Sequence, residues 1–254
     1  MKIDFSGKKV LVTGGSGGIG RVIVRTLAEC GADVGIHYHS DEQKARELVE
    51  EITRQYGVKS AAFRADLTKE EEVRQLQKEM EQTMGMPELL VVNAVIQYPY
   101  KLLLEQPIGD FYSQFESCVM QMVYLSKAFV PHMQEQQYGR IVVINTECSY
   151  MAEPTFSAYV AAKRGLDGLV RVLAKEVGKD NITINQVAPG WTITDKNRAE
   201  DTEGIRDYIK TVPLNRRGDD QDIANMTAFF LSDYASFTTG AYIPVSGGRV
   251  MPGI

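Results

Sequence analysis

Short, continuously apolar runs alternate with longer segments of helical period along nearly the whole chain, and that alternation limits the folds open to it. Lys8–Thr13 reads as a strand, and Ile19–Cys30 as a helix carrying Ile19, Val22, Ile23 and Leu27 on one face. Asp33–Tyr38, Ser60–Arg64, Leu89–Val92, Arg140–Asn145, Ile182–Val187 and Ala241–Val245 continue the series of strands. Between them Asp41–Tyr56, Lys69–Met84, Gly109–Met133, Ser157–Gly178 and Gln221–Leu231 read as helices. Ser40 or Asp41 is placed to cap the second helix, and Pro131 to break the long one. VLV, LLVV and IVVI lack polar alternation, as strands buried on both faces require. The pattern predicts an α/β fold: one doubly wound, Rossmann-type domain over residues 1–254. Its mainly parallel sheet of about seven strands would carry helices on both faces. No repeat, low-complexity tract or linker divides the chain.

The charge balance excludes one large class of function. With 28 Lys+Arg against 33 Asp+Glu, the formal charge is -5, the wrong sign for a protein that neutralises phosphates along nucleic acid. Three cysteines, at 30, 118 and 148, are odd in number and form no CxxC pair, so neither a disulfide framework nor a zinc site is expected. The apolar run near the N-terminus is too short for a signal-peptide core, and no stretch approaches the ~18 apolar residues of a membrane span. A cytoplasmic protein with no membrane and no nucleic-acid partner is the expectation.

The first strand runs into Thr13-Gly14-Gly15-Ser16-Gly17-Gly18-Ile19-Gly20 and then into a helix. Glycines at this turn let the backbone approach a pyrophosphate, whose charge the free N–H groups of the helix N-terminus receive. Gly14, Ser16, Gly18, Ile19 and Gly20 are therefore candidate dinucleotide contacts. An acid at the end of the second strand would hold the ribose diol of NAD, but the sequence there is Ile36-His37-Tyr38-His39-Ser40. The missing carboxylate favours NADP(H) over NAD(H), with His39, Ser40 and Arg21 as candidate partners of the 2′-phosphate, although Gly17 stands where an arginine would serve better. His37 and His39 lie two apart on one strand with no third ligand in view, so no metal is expected.

Tyr159 and Lys163, spaced i,i+4 on a helix, lie on one face. A free phenol has a pKa near ~10, and a neighbouring ammonium lowers it toward useful acid–base work. With TGGSGGIG, Asp66-Leu67 in ADLT, Asn93-Ala94, YVAAK, Pro189-Gly190 and VSGG in order, the chain resembles the short-chain dehydrogenase/reductase family from Lys8 to Gly248. It is most similar to members of the β-ketoacyl-carrier-protein reductase and glucose dehydrogenase type. The resemblance implies a homotetramer and interconversion of a ketone and a secondary alcohol by hydride transfer. It implies that Tyr159 is the general acid or base and that Lys163 holds the nicotinamide ribose. Asp66, Leu67, Asn93 and Ala94 would line the adenosine side, and Pro189, Gly190, Thr192 and Thr194 the nicotinamide and pyrophosphate.

Four positions depart from the family pattern. Thr146 stands where the family has the serine that steadies the carbonyl, with Ser149 as a nearby alternative. Cys118 replaces the asparagine of the proton relay, Val95 the glycine of NAG, and Ser246 the usual aspartate of the last motif. A catalytic reductase is expected because Tyr159 and Lys163 are both kept; the alternative is a cofactor-binding structural or sensing subunit. The expected substrate wall is Gln97, Tyr98, Tyr100, Cys148, Tyr150, Met151, Phe156 and the segment from Trp191 to Arg206, which favours an apolar or ring-bearing small ketone. Gln134–Gln137 and Asp180, in place of basic residues, argue against an acidic carrier protein as partner. Tyr112, Phe115, Val119 and Met122 form a helix stripe that would pack either against a second subunit or into the chain's own core.

Overall fold

The computed structural model describes residues 2–252. Strands β1 (Lys9–Val12), β2 (Asp33–Tyr38), β3 (Ser60–Arg64), β4 (Leu89–Val92), β5 (Gly139–Ile144), β6 (Ile182–Pro189) and β7 (Tyr242–Val245) form one parallel sheet in the order β3-β2-β1-β4-β5-β6-β7. Successive residues of each strand feed opposite faces. Val10, Val12, Leu89, Val91, Val142 and Ile144 belong to one core, and Leu11, Leu90, Val92, Ile141 and Val143 to the other. Strand β4 is therefore apolar at every position, and β1 and β5 are apolar beyond their first residues.

The first core is covered by α1 (Gly18–Glu29), α2 (Glu42–Tyr56) and α9 (Asp220–Leu231). The second is covered by α3 (Glu70–Thr83), by the long helical segment before β5, and by α7 (Ser157–Val177). Asp41 caps α2, its side chain accepting the Lys44 N–H at 3.2 Å. Strand order reverses between β1 and β4, and a crevice opens there at the carboxyl ends of the strands.

The long helix differs from its expected form. It comprises α4 (Ile108–Phe115), a π turn at Glu116–Met120 and α5 (Gln121–Glu135), and it continues through Pro131. Pro131 is exposed, as is Lys127, so the carbonyl it leaves without a helical donor meets water, while Met122, Leu125, Phe129 and Met133 stay buried. Two short helices, α6 (Cys148–Met151) and α8 (Glu203–Lys210), lie in stretches the periodicity leaves irregular.

Candidate active site

The glycine turn is fixed by three neighbours. Gly14 takes a positive φ of 60°, and its N–H donates to Nδ1 of His37 at 3.0 Å. The other ring nitrogen of His37 lies 3.0 Å from the carbonyl of Ala65, so the ring carries its proton on Nε2. Burial holds the His37 pKa down at about 4, against the pull of that carbonyl, and the ring is neutral. Asn93 donates through Nδ2 to the carbonyls of Thr13 and Gly14, at 3.0 and 3.2 Å, and its own N–H donates to the Thr13 hydroxyl. A Cβ on Gly20 would strike the Gly14 carbonyl and come within 2.7 Å of Asn93 Nδ2. Glycine at 20 is what lets α1 begin this close to the turn.

Beside the turn a pocket of about 320 Å³ is lined by His37, His39, Asp66, Leu67, Ala94 and Val95, among others. The Asp66 Oδ1 accepts from Thr68 N and Oγ1, at 3.0 and 2.7 Å. Burial pushes the Asp66 carboxyl up, but those hydrogen bonds, with His39 and Lys69, hold it below the usual carboxylate range. His39 and Ser40 are exposed. Arg21 does not join them: its guanidinium pairs with Asp195 across the turn, a partner that sequence reading does not reveal.

A larger cleft of about 960 Å³ runs from Ile19 and Asn93 past Thr146, Tyr159 and Lys163 to Tyr208 and Arg249. Gln97, Tyr100, Cys148, Phe156, Pro189, Gly190, Trp191, Thr192 and Thr194 also line it. Thr146 leaves β5 at its carboxyl end, and its Oγ1 accepts the Cys148 N–H at 3.2 Å. Asn145 organises this strand end. Its Nδ2 donates to Gln186 Oε1 and the Lys163 carbonyl, and its Oδ1 accepts from Thr146 N and Ser149 Oγ. Ser149 is thereby buried on Asn145, and Thr146 carries the hydroxyl that faces the cleft.

Burial pushes the Tyr159 phenol well above its ordinary pKa, with the Cys118 and Cys148 thiols adding to the shift and the nearby Thr146 hydroxyl opposing it. The lowering expected from Lys163 does not dominate, because Nζ stands 5.8 Å from the ring centroid. Lys163 is 3 % exposed; its Nζ donates to the Ile144 carbonyl at 2.7 Å, and burial lowers its pKa. The π turn places Cys118, fully buried, close enough to act electrostatically on both Tyr159 and Lys163.

Two expected wall residues have other contacts. Tyr98 is buried, and its hydroxyl accepts the Tyr159 N–H at 2.9 Å, so it steadies the start of α7. Tyr100, stacked between Tyr98 and Phe156, takes its place in the cleft. Tyr150 packs on Tyr242 and under the Arg164 guanidinium, away from the cleft. Gln134–Gln137 and Asp180 form a hydrogen-bonded cluster beside the amino end of β5, at the other end of the sheet, so their charge bears on nothing at this chain's cleft mouth. Of the helix stripe, Tyr112 and Phe115 are exposed, but Val119 and Met122 are buried in the chain's own core.

Sequence reading misses the brace made by His37 and the cluster of Glu147, Tyr208 and Arg249 at the far end of the cleft. The first has a visible signal, a polar side chain inside an apolar central strand. The second joins residues 61 and 102 positions apart and has none.

A family model described as enoyl-(acyl carrier protein) reductase matches residues 14–249. The 3-oxoacyl-[acyl-carrier-protein] reductase FabG of Staphylococcus epidermidis is 36% identical over 244 residues, 96% of this chain and 99% of that protein. A putative gluconate dehydrogenase from Agrobacterium tumefaciens superposes with a TM-score of 0.92 at 28% identity, covering 98% of both chains. A 7α-hydroxysteroid dehydrogenase, solved with NADH and 7-oxo glycochenodeoxycholic acid, superposes at 0.91 with 31% identity, covering 97% of this chain and 96% of that one. The glycine turn at the β1–β4 crevice and the Thr146, Tyr159 and Lys163 cluster sit in a chain that belongs to the short-chain dehydrogenase/reductase family of oxidoreductases.

Proposed function

We propose that the chain interconverts a small ketone and a secondary alcohol with NADP(H), using Tyr159 as the proton donor. The observation that carries this reading is that Thr146 and Tyr159 line one cleft together with the buried Lys163 ammonium. The residues fit a nicotinamide nucleotide. The Gly14–Gly20 turn is open to a pyrophosphate, and Asp66 Oδ2 has no protein partner among the described residues, leaving it for an adenine amine. His39 and Ser40 would meet a 2′-phosphate that no carboxylate at the end of β2 opposes. Lys163 Nζ donates once, to Ile144, and keeps donors for ribose hydroxyls.

Bound along this cleft, the nucleotide supplies the hydride. Thr146 donates a hydrogen bond to the carbonyl oxygen, its own Oγ1 oriented by the Cys148 N–H. Tyr159, kept protonated at neutral pH by burial, gives its proton to that oxygen as charge develops there. For alcohol oxidation the same tyrosine must first ionise, which burial opposes. Cys118 stands in place of the relay asparagine and leaves Lys163 with a weaker neighbour for passing on the proton. The aromatic faces of Tyr100, Phe156 and Trp191 favour a ring-bearing or otherwise apolar carbon skeleton.

A carrier-bound β-ketoacyl thioester is a second reading, favoured by the S. epidermidis relative. Ile108, Tyr112 and Phe115, exposed on α4, support a homotetramer with that helix at an interface. No described helix is long and apolar enough to cross a membrane, and we place the protein in the cytoplasm. The test is NADPH oxidation across a panel of small ketones and a β-ketoacyl thioester on carrier and on a short analogue. Wild type should reduce small ketones, and Tyr159→Phe should lose at least ~10²-fold in kcat while binding NADPH unchanged. Tight NADPH binding with no turnover on any carbonyl would instead indicate a non-catalytic cofactor-binding subunit. A carrier substrate far outpacing its short analogue would establish the thioester reading.

A further inference from the structure

Glu147 follows Thr146 directly and lines the same cleft, yet the reaction above gives it no part. It is 3 % exposed, and its Oε1 accepts from the Tyr208 hydroxyl and from Arg249 Nη1, both at 2.9 Å. Its Oε2 is buried and has no hydrogen-bond partner among the described residues. A buried carboxylate oxygen without a donor is costly to fold around, so one left open in a binding cleft calls for a ligand that supplies the donor.

The neighbours of that oxygen fix its position. A Cβ at position 190 would stand 3.2 Å from Glu147 Oε2 and would collide with the Tyr208 hydroxyl, so glycine lets both groups pack against the backbone here. Tyr208 also accepts the Trp191 N–H at 2.8 Å, which fixes its hydroxyl toward Glu147. Three of the five Arg249 N–H donors are engaged: Nε donates to Thr211 Oγ1 at 2.9 Å, Nη1 to Glu147 and Nη2 to Glu153 at 3.2 Å, and the guanidinium lies over the Tyr208 ring at 4.7 Å. It holds Glu147 in place. Two carboxylates, Glu147 and Glu153, share this one cation.

We propose that the substrate is a ketone carrying a hydrogen-bond donor, a hydroxyl or a protonated amine, close to its carbonyl, and that Glu147 Oε2 accepts from it. The proposal rests on the reading of this cleft as the site of carbonyl reduction. Thr146 and Glu147 are adjacent in the chain and line one cleft, so a single ligand can place its carbonyl on the first and a donor on the second. The carbon skeleton lies against the aromatic walls and the polar end against Glu147.

Trp191 is the chain's single tryptophan and borders Gly190, so its fluorescence reports ligand in this cleft without any turnover. The NADPH-loaded protein is titrated with three ketones of matched skeleton: 2-hydroxyacetophenone, protonated 2-aminoacetophenone and propiophenone. The two donor-bearing ketones should bind about tenfold or more tightly than propiophenone. Glu147→Gln, which keeps the side chain's shape, should bring all three within about twofold of one another. Glu153→Gln should lower the ammonium preference and leave the hydroxyl preference intact, which separates charge from hydrogen bonding. Equal binding of the three by wild type overturns the proposal even if the variants do not fold, as does a preference that survives in Glu147→Gln. NADPH oxidation followed in parallel keeps the two readings apart. Selective binding without reduction upholds the subsite and fails the reductase reading, whereas reduction of all three without selectivity does the reverse.

Discussion

The N–H of Gly14 donates to Nδ1 of His37 across 3.0 Å, so the first glycine of the nucleotide turn hangs from a buried imidazole on the next strand. Protonating that nitrogen would remove the acceptor and bury a charge. The folded-state pKa, about 4, lies below the ordinary 6.5, so the unfolded chain binds the proton more readily. Stability from this group is therefore complete above pH 6.5 and is lost as pH falls through about 4. The full loss is roughly 3 kcal/mol. His37→Asn keeps an acceptor for Gly14 but cannot titrate; its denaturation midpoint should fall less than wild type's between pH 6.5 and 4. Parallel pH profiles for the two proteins would remove His37 from the account.

Gly17 has room that its sequence position alone does not disclose. Its φ is −138°, ordinary extended backbone, and a Cβ there would meet no atom within 4 Å. An arginine at 17 should fold without strain and reach toward a 2′-phosphate beside His39 and Ser40. Gly17→Arg should tighten NADPH binding about tenfold, with NADH binding unchanged, as measured by nucleotide fluorescence titration. Equal effects on both nucleotides would move the 2′-phosphate elsewhere.

Thr146 carries the hydroxyl and Ser149 does not, because Ser149 is committed to Asn145 Oδ1 at 2.9 Å. Thr146→Ala should lower kcat by about 10² with NADPH affinity kept. Thr146→Ser should restore most of the loss, and Ser149→Ala should cost little in kcat. A large kcat loss in Ser149→Ala with Thr146→Ala unaffected would exchange their roles.

The sheet is legible because burial on both faces gives β1, β4 and β5 continuous apolar runs, VLV, LLVV and IVVI, that need no tertiary knowledge to identify. Helix α8 is hard to read because it is only eight residues long: Ile205, Tyr208 and Ile209 fall at helical spacing, but the helix ends before the pattern can repeat. Tyr98 and Tyr150 look like wall residues in sequence, since a strand end says which loop carries a side chain but not which way it turns. Pro131 misleads for a related reason: its cost depends on whether the freed carbonyl faces water, a property of tertiary placement. Glu147 is a neighbour of Thr146 in sequence, but what makes it informative comes from Tyr208 and Arg249, far along the chain.

Cys118 sits within electrostatic reach of Lys163, whose only protein acceptor is the Ile144 carbonyl among the described residues. An amide at 118 would give the ammonium and a neighbouring water a stronger acceptor than sulfur does. Cys118→Asn should raise kcat several-fold with KM for NADPH unchanged, read from steady-state kinetics at neutral pH. A kcat that stays level or falls would mean that the surrounding side chains have adapted to the thiol.

The central claim is that hydride reaches the carbonyl carbon while Tyr159 protonates the oxygen. The most direct measurement is a single turnover with 4-deuterated NADPH, the alcohol product being analysed by mass spectrometry and the rate followed against pH. The account predicts deuterium on the carbinol carbon, a rate that falls only at alkaline pH as the buried phenol ionises, and loss of the step in Tyr159→Phe. An unlabelled product, or a Tyr159→Phe variant that transfers deuterium at the wild-type rate, would contradict it.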